Sequence, residues 1–262
     1  MAAGRHEQPQ VTSSSTNRTD GSLRSALYHG YRSTFKDALH SSAMPSFAWW
    51  DHTYLPLIHD LDRAAPILDL GCGDGSLVAY LGRRGFSHVQ GIDISAEQVA
   101  AAQARGVRAD VADAFGFLPA RADAFSAVLA VDVLEHFSRE ELGRLGPLLN
   151  AALRPNGRLL IQTANGAGLF PRQVIYGDLT HLTIFTPESL QQWLRPYGFS
   201  AFRFYETGPI PIRMRGRVNV VLWRLIKVAA NAVRDIETGK RQTIWTENFI
   251  CLARKRPRDR TR

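Results

Sequence analysis

The fold is decided by the stretch Ile67-Leu68-Asp69-Leu70-Gly71-Cys72-Gly73-Asp74-Gly75-Ser76-Leu77. A short apolar run breaks into a glycine at every second residue and then resumes an apolar pattern, which predicts a strand, a tight turn and the start of a helix. Glycines allow positive φ and let a ligand approach the main chain, while the N–H groups of the next helix point at that ligand. The stretch therefore indicates a nucleotide-type cofactor site.

The acidic residues of this turn argue against a dinucleotide. The dinucleotide pattern G-x-G-x-x-G faces a pyrophosphate with a helix N-terminus, and here Ser76 stands where the third glycine is expected. Asp69 and Asp74 flank the turn, and two carboxylates beside a pyrophosphate would repel it. They suit a cationic ligand instead.

The pattern Asp-x-Gly-x-Gly-x-Gly, carried by Asp69, Gly71, Gly73 and Gly75, resembles the first motif of the class I S-adenosylmethionine (SAM)-dependent methyltransferases. A second apolar stretch ends in Asp93, 22 residues after Gly71. This is close to the roughly 20 residues at which an acid at a strand end meets ribose hydroxyls, so we expect Asp93 to bind the ribose.

Two further stretches extend the resemblance. It implies that Asp113 accepts from the adenine amino group and that the next backbone N–H reaches the ring, and residues 127–136 are similar to the fourth motif, an apolar strand followed by Asp-Val-Leu-Glu-His. SAM as cofactor, S-adenosylhomocysteine as product and no metal ion are what the resemblance implies. The alternative is a parallel sheet with ordinary turn glycines and aspartates. The remaining cofactor contacts implied are Cys72, Ile94, Ala114 and Val131.

Strand and helix patterns alternate along the chain, which predicts an α/β fold with a doubly wound sheet. The resemblance implies seven mostly parallel, Rossmann-like strands with the last one antiparallel. We expect a disordered tail at 1–22, a helical cap at 23–62, the catalytic domain at 63–254 with a helical insertion at 207–242, and a basic tail at 255–262. In the cap, Tyr28, Tyr31 and Trp50 either line the acceptor site or pack in the core.

The composition bears on the size of the core, on disulfide bonds and on the expected location of the protein. The 262 residues, 45% of them hydrophobic, predict one substantial core. Cys72 and Cys251 suggest no disulfide framework, residues 1–25 lack an apolar signal segment, and no run of about 18 apolar residues is present. We therefore expect a cytoplasmic protein, with peripheral contact at the inner membrane face as an option.

The net charge of +8 is concentrated at the end of the chain. Six basic residues against one acidic residue give the last nine residues a charge of +5. Such a run is typical of a solvated tail. The expected partner is a small molecule or a saccharide acceptor, and nucleic acid is not expected.

An aliphatic hydroxyl is a poor nucleophile until its proton leaves, so an oxygen acceptor calls for a base, and histidine is the usual one near neutral pH. His136, in the fourth motif, and His181, on a long loop at 167–185, are the catalytic candidates. The candidates for binding the acceptor are Asp132, Glu135, Asn165 and Tyr176.

The pattern Thr180-His181 before Phe185-Thr186-Pro187 resembles methyltransferases of polysaccharide and glycolipid biosynthesis. It implies O-methylation of a sugar, glycan or glycolipid. A quinone, a polyketide or another small molecule is the alternative acceptor, and a non-catalytic SAM-binding protein is the third reading. Methylation of base amines would predict an Asn/Asp-Pro-Pro-Tyr/Phe motif, which residues 131–134 lack.

Residues 217–235 predict an amphipathic helix. Its apolar arc either packs on the enzyme's own sheet or on a second subunit, as in a homodimer, or faces outward as a lid or an anchor on anionic lipid, aided by the basic tail. The polar stripe opposite this arc holds Asn219, Arg224, Lys227, Asn231 and Arg234.

Overall fold

A computed structural model describes residues 47–257 of the chain. The predicted tail at 1–22, most of the predicted cap, with Tyr28 and Tyr31, and the end of the basic tail lie outside the described residues.

Seven strands and nine α-helices are found within residues 47–257. The strands are β1 (Ile67–Leu70), β2 (Val89–Asp93), β3 (Ala109–Val111), β4 (Phe125–Val131), β5 (Leu153–Ala164), β6 (Phe199–Glu206) and β7 (Asn248–Lys255). The helices are α1 (Phe47–Thr53), α2 (Leu55–Ile58), α3 (Ser76–Arg83), α4 (Ala96–Ala104), α5 (Ala114–Phe117), α6 (Arg139–Ala152), α7 (Pro171–Tyr176), α8 (Pro187–Leu194) and α9 (Met214–Thr238). Short 3₁₀ turns span Leu118–Ala120, Leu134–His136 and Arg195–Tyr197.

The strands form one sheet in the order β3-β2-β1-β4-β5-β7-β6. Strands β1 to β5 are parallel, and β7 runs antiparallel to both β5 and β6. This confirms the predicted doubly wound, mostly parallel sheet. The carboxyl ends of β1, β2, β3 and β4 lie along one edge, where open α/β sheets bind ligands.

Strand β1 is buried along its whole length because helices cover both faces of the sheet. Leu68 and Leu70 belong to the apolar core on one face, and Ile67 belongs to the core on the other face. Apolar residues are therefore needed at these three positions, and the decisive stretch supplies them, with the buried Asp69 as the one polar residue of the strand.

At the ends of the domain, the structure decides between two alternatives for Trp50 and corrects the prediction for Lys255. Trp50 is buried in the core, with its ring centroid 4.9 Å from that of Tyr80, so it packs the domain and does not line an acceptor site. Lys255, predicted to begin the basic tail, is the last residue of β7 and is buried. Its ammonium donates to Asp123 and to the carbonyl of Leu153, which accounts for its position inside the protein.

Helix α9 lies in the predicted insertion, between β6 and β7, and none of its 25 residues is buried. Glu206, at the end of β6, ties the helix to the sheet: it accepts from the indole N–H of Trp223 and from Lys227, and its other oxygen accepts from the backbone of Trp245. Trp223 and Lys227 thus hold the helix to the domain, and of the alternatives for the apolar arc, packing on the enzyme's own sheet is not what the described residues show for most of it.

The apolar residues of α9 point outward instead. Those at least about half exposed are Met214, Val218, Val221, Leu222, Leu225, Ile226, Val228, Val233 and Ile236. Within residues 47–257, no helix is long and apolar enough to cross a membrane.

Candidate cofactor and acceptor site

The glycine turn after β1 is shaped by two glycines in different ways. Gly71 and Gly73 both have positive φ, at +73° and +53°. A Cβ on Gly71 would lie 2.5 Å from the side chain of Val133, so this position is closed by packing. A Cβ on Gly73 would meet nothing nearer than Gln98 at 3.9 Å. The main chain of Gly73 therefore has open space beside it, which fits close approach by a ligand.

Two other predicted residues of the turn, Cys72 and Gly75, pack against neighbouring elements. The thiol of Cys72 is buried against β2, where a Cβ added to Gly91 would lie 2.5 Å from its sulfur. Gly75 is buried close to Ala102 and Val107 of the next unit. Both residues hold the turn against its neighbours, so any contact that they make with a cofactor comes from the backbone.

Asp93 joins the ends of β1 and β2. Its Oδ2 accepts from the N–H of Gly73 at 2.9 Å, and its Oδ1 accepts from the N–H of Ser95 at 2.8 Å. A carboxylate at the end of β2 is a hydrogen-bond acceptor of the kind that suits the two hydroxyls of a ribose. Ile94, which follows, is 49% exposed and offers an apolar surface beside that position.

The two turn aspartates are in different electrostatic surroundings. Asp74 forms a salt bridge with Arg105 at 2.8 Å. Asp69 is 2% exposed. Burial, followed by the negative charges of Asp93 and Asp74, raises the pKa of Asp69 to about 7. A cation beside Asp69 would offset these effects, so the turn suits the positively charged groups of SAM.

Asp113 and Ala114 lie at the start of α5, directly after β3. The side chain of Asp113 caps the helix by accepting from the N–H of Phe115 at 3.3 Å. Ala114 is buried, and Val131 is half-buried at the end of β4. All three follow or end strands at the carboxyl edge, as the resemblance implies.

Asp132 directly follows the strand of the fourth motif, and its backbone has φ of +50°. Both of its carboxylate oxygens accept from the amide of Gln162, at 3.1 and 3.0 Å, and the amide oxygen of Gln162 accepts from the hydroxyl of Tyr54 at 2.6 Å. Tyr54 and Gln162 were not among the predicted site residues. The sequence signal for Gln162 was a polar residue inside the otherwise apolar second half of β5.

The side chains of Glu135 and His136, which follow Asp132 in the chain, lie close to that of His181. Each offers a ligand atom within 4.8 Å of the others, and the two imidazole centroids are 5.0 Å apart. Glu135 and His136 are buried, and His181 is half-buried. The structure thus brings together both predicted catalytic histidines and one predicted acceptor-binding acid.

Hydrogen bonds fix both imidazoles. Nδ1 of His181 lies 2.7 Å from the carbonyl of Val174, and because a carbonyl can only accept, Nδ1 carries the proton. Nδ1 of His136 lies 3.2 Å from the carbonyl of Thr180, which indicates the same tautomer. The lone pair of each ring is therefore on Nε2, the atom that can take a proton or bind a metal.

Glu135 connects the cluster to the loop. Its carboxylate accepts from the hydroxyl of Thr163 at 2.9 Å, and its backbone carbonyl accepts from the N–H groups of Leu182 and Thr183. Burial, followed by the nearby charge of Asp132, raises the pKa of Glu135 well above its usual value. Thr163 was not predicted to orient the Glu135 carboxylate.

The last two predicted acceptor contacts differ from each other. Asn165 is fully buried, and its amide donates to the carbonyl of Thr246 and accepts from the N–H of Ala167. These bonds hold the loop in place, and the contact of Asn165 with the acceptor stays a prediction. Tyr176, at the end of α7, is 79% exposed.

The doubly wound sheet, the open glycine turn, the acids after β2 and β3 and the buried Asp69 define a class I SAM-binding site. A family model described as "Methyltransferase domain" matches residues 47–202. The chain belongs to this family, the class I SAM-dependent methyltransferases.

Comparison with known proteins places the chain among diverse relatives. It is 32% identical over 158 residues to the mitochondrial ubiquinone biosynthesis O-methyltransferase of Mus musculus, covering 51% of this chain and 41% of the mouse protein. It is 26% identical over 181 residues to the ubiquinone biosynthesis O-methyltransferase of Xylella fastidiosa, covering 57% of this chain and 72% of the relative. The match thus spans less than half the length of the mouse relative.

Solved structures share the fold at low sequence identity. A SAM-dependent methyltransferase from Archaeoglobus fulgidus superimposes with a TM-score of 0.60 and 20% identity, covering 80% of this chain and 92% of the other. Likeness at this identity concerns the fold alone.

Proposed function

We propose that the protein transfers the methyl group of SAM to a hydroxyl oxygen of an acceptor that reaches it at a membrane surface. The observation that carries the proposal is the pair of imidazoles of His136, which follows β4, and His181, which comes from the loop after β5; their ring centroids are 5.0 Å apart. Val133, three residues before His136, packs against Gly71 of the cofactor turn, so the imidazoles and the cofactor site are neighbours. An amine acceptor has less need of such a base.

When bound, SAM supplies an electrophilic methyl group. The chain's own residues then have to align the acceptor hydroxyl and remove its proton. His181 and His136 stay our candidates for this role, because a backbone carbonyl holds Nδ1–H of each ring and thereby sets the basic lone pair on Nε2. Asp132, more than a third exposed and held by Gln162, is a candidate for orienting the acceptor.

The relatives support one acceptor class over the other. Two of them are described as O-methyltransferases of ubiquinone biosynthesis, which favours a ring hydroxyl of a quinone-type molecule. The pattern from Thr180 to Pro187 favours a saccharide or a glycolipid. We place the quinone-type ring first and the saccharide second.

Transfer of label from SAM tests the proposal. Purified protein should methylate at least one hydroxyl compound in a panel of quinols, lipid-linked saccharides and free sugars, and should not methylate RNA. On that acceptor, His181→Ala should lower kcat by roughly 10²–10⁴ without changing affinity for S-adenosylhomocysteine, the usual effect of losing a general base. His88→Ala, an exposed histidine outside the cluster, is the matched control. Transfer to an amine alone would contradict the proposal.

We further propose that the outward face of α9 lies on an anionic membrane. Residues 213–241 hold eight Lys or Arg residues against two acidic residues, a net charge of +6, beside the exposed apolar residues of the helix. Interfacial helices combine these two features, and anionic lipid attracts such a segment. Even with Lys227 paired to Glu206, outside this range, the segment stays strongly cationic, so a second copy would bring two segments of like charge together, which disfavours a homodimer through this helix.

Vesicle flotation tests the membrane contact. The protein should float with anionic vesicles, less so as salt rises, and Leu225→Glu should reduce binding more than Ala120→Glu, which adds the same charge at an exposed position outside the helix. No binding to anionic vesicles at low salt would refute the proposal. So would dimers in sedimentation that Leu225→Glu dissociates.

A further inference from the structure

The cluster of Glu135, His136 and His181 has the composition of a metal site. One carboxylate and two imidazoles are a common donor set for divalent transition metals. Their ligand atoms lie within 4.8 Å of one another. Ligand atoms about 2.1 Å from a metal lie roughly 3–4 Å apart, so the side chains need to close in by only about 1 Å.

The outer contacts of the histidines match those of metal ligands. A histidine that binds a metal through one nitrogen usually donates its other N–H to a carbonyl or a carboxylate, which fixes the ring. Nδ1 of His181 donates to the carbonyl of Val174 and Nδ1 of His136 to Thr180. The Thr180 hydroxyl in turn donates to Asp178. Each ring is thus held in the tautomer in which Nε2 can bind a metal.

The scaffold around the cluster keeps its parts together. Glu135 and His136 are adjacent in the chain, whereas His181 comes from a loop 45 residues later. That loop is joined to the first segment where Leu182 and Thr183 donate to the backbone carbonyl of Glu135 at 2.7 and 3.0 Å. The Glu135 carboxylate is oriented by the hydroxyl of Thr163. Ligands set before binding cost less conformational entropy on binding.

We propose that Glu135, His136 and His181 bind one divalent transition metal ion, such as Zn²⁺, at the acceptor side of the site. Three protein ligands leave coordination positions open, as in catalytic metal sites. The resemblance to the family implies no metal ion, but the loop brings His181 to Glu135 and His136, a meeting that no local sequence pattern shows.

The role of the ion rests on the proposed O-methylation. An acceptor hydroxyl bound to the ion loses its proton more easily, as metal-bound water does. The proton passes to solvent, the oxygen keeps the electron pair and forms the new C–O bond, and the electrons of the broken C–S bond return to sulfur. The imidazoles then serve as ligands, and the ion replaces them as the group that activates the hydroxyl.

Metal binding can be measured without any acceptor. Untagged full-length protein is stripped with a chelator, dialysed, and titrated with Zn²⁺ by calorimetry, with the bound metal counted after desalting. We expect one Zn²⁺ per chain. His181→Ala and Glu135→Gln should each weaken binding at least tenfold, as loss of even an outer-shell partner costs 10–100-fold. His88→Ala should bind as the unchanged protein does.

The controls separate folding and activity from metal binding. Affinity for S-adenosylhomocysteine should stay the same in both variants, which shows that they are folded. Protein that takes up no Zn²⁺, or variants that bind it as tightly as the unchanged protein, would overturn the metal site. Because no acceptor is present, failure to find a methylated hydroxyl compound would count against the proposed function alone.

Discussion

Lowering the pH should weaken SAM binding through protonation of Asp69. This carboxyl is buried beside the negative charges of Asp93 and Asp74, which together raise its pKa to about 7. A cationic ligand stabilises the ionised form alone, so protons and SAM compete for the site. The Asp69→Asn variant keeps the shape of the side chain and removes its titration.

The size of the effect follows from the pKa. A group with a pKa of about 7 is about nine-tenths ionised at pH 8 and about one-tenth ionised at pH 6. The ratio of SAM affinities, unchanged protein over Asp69→Asn, should therefore fall about tenfold between these two pH values. The amino group of SAM also titrates, near 7.7–8.0 for an ordinary α-amine, but its titration cancels in the ratio.

Calorimetric titration at pH 6, 7 and 8 measures this ratio. A ratio that stays constant across the three pH values would refute the assignment of Asp69 to the cation. Stability gives a second check with no ligand present. Because the folded state retains a proton that the unfolded chain releases above about pH 4, the free energy of unfolding should fall as pH rises from about 4 to 7, by on the order of 4 kcal/mol. Asp69→Asn should lack this slope.

Three further variants test the site and its supports. Asp93→Ala removes the predicted ribose acceptor, so calorimetry should show S-adenosylhomocysteine binding weakened by about 1.5–3 kcal/mol, and unchanged affinity would exclude the assignment. Gly71→Ala should lower the free energy of unfolding by more than Gly106→Ala in urea titrations, because both have positive φ but only the Gly71 position is filled; equal losses would mean that packing is unimportant there. Tyr54→Phe leaves the buried amide of Gln162 without its donor and should cost about 1–3 kcal/mol of stability, and no loss would contradict the role of this bond.

The sheet and the cofactor turn could be predicted because their signals are local. A fully buried strand, a turn that needs positive φ at Gly71 and an acid at the next strand end each leave a mark within a few residues. Strand β5 shows the limit of such signals, since it begins at Leu153 and runs through Pro155, a residue that ordinarily argues against a strand.

The polar residues of the site were harder to assign because their roles depend on partners distant in sequence. The amide of Asn165 bonds to Thr246 and Ala167, and its place in the sequence does not reveal the bond to Thr246. Gln162 acquires its role from Tyr54, 108 residues earlier in the chain. The helical period of α9 predicted two faces correctly, but it could not show which of them turns toward the sheet.

The attachment of α9 through Glu206 has an evolutionary consequence. A helix that contributes no buried residue adds little to the folding of the domain, so mutations along it escape most of the selection that acts on a core. It also lies beyond residues 47–202, the part that matches the family. This segment can therefore diverge, lengthen or be exchanged between relatives while the sheet and the cofactor turn are retained, and new acceptors or locations could arise by that route.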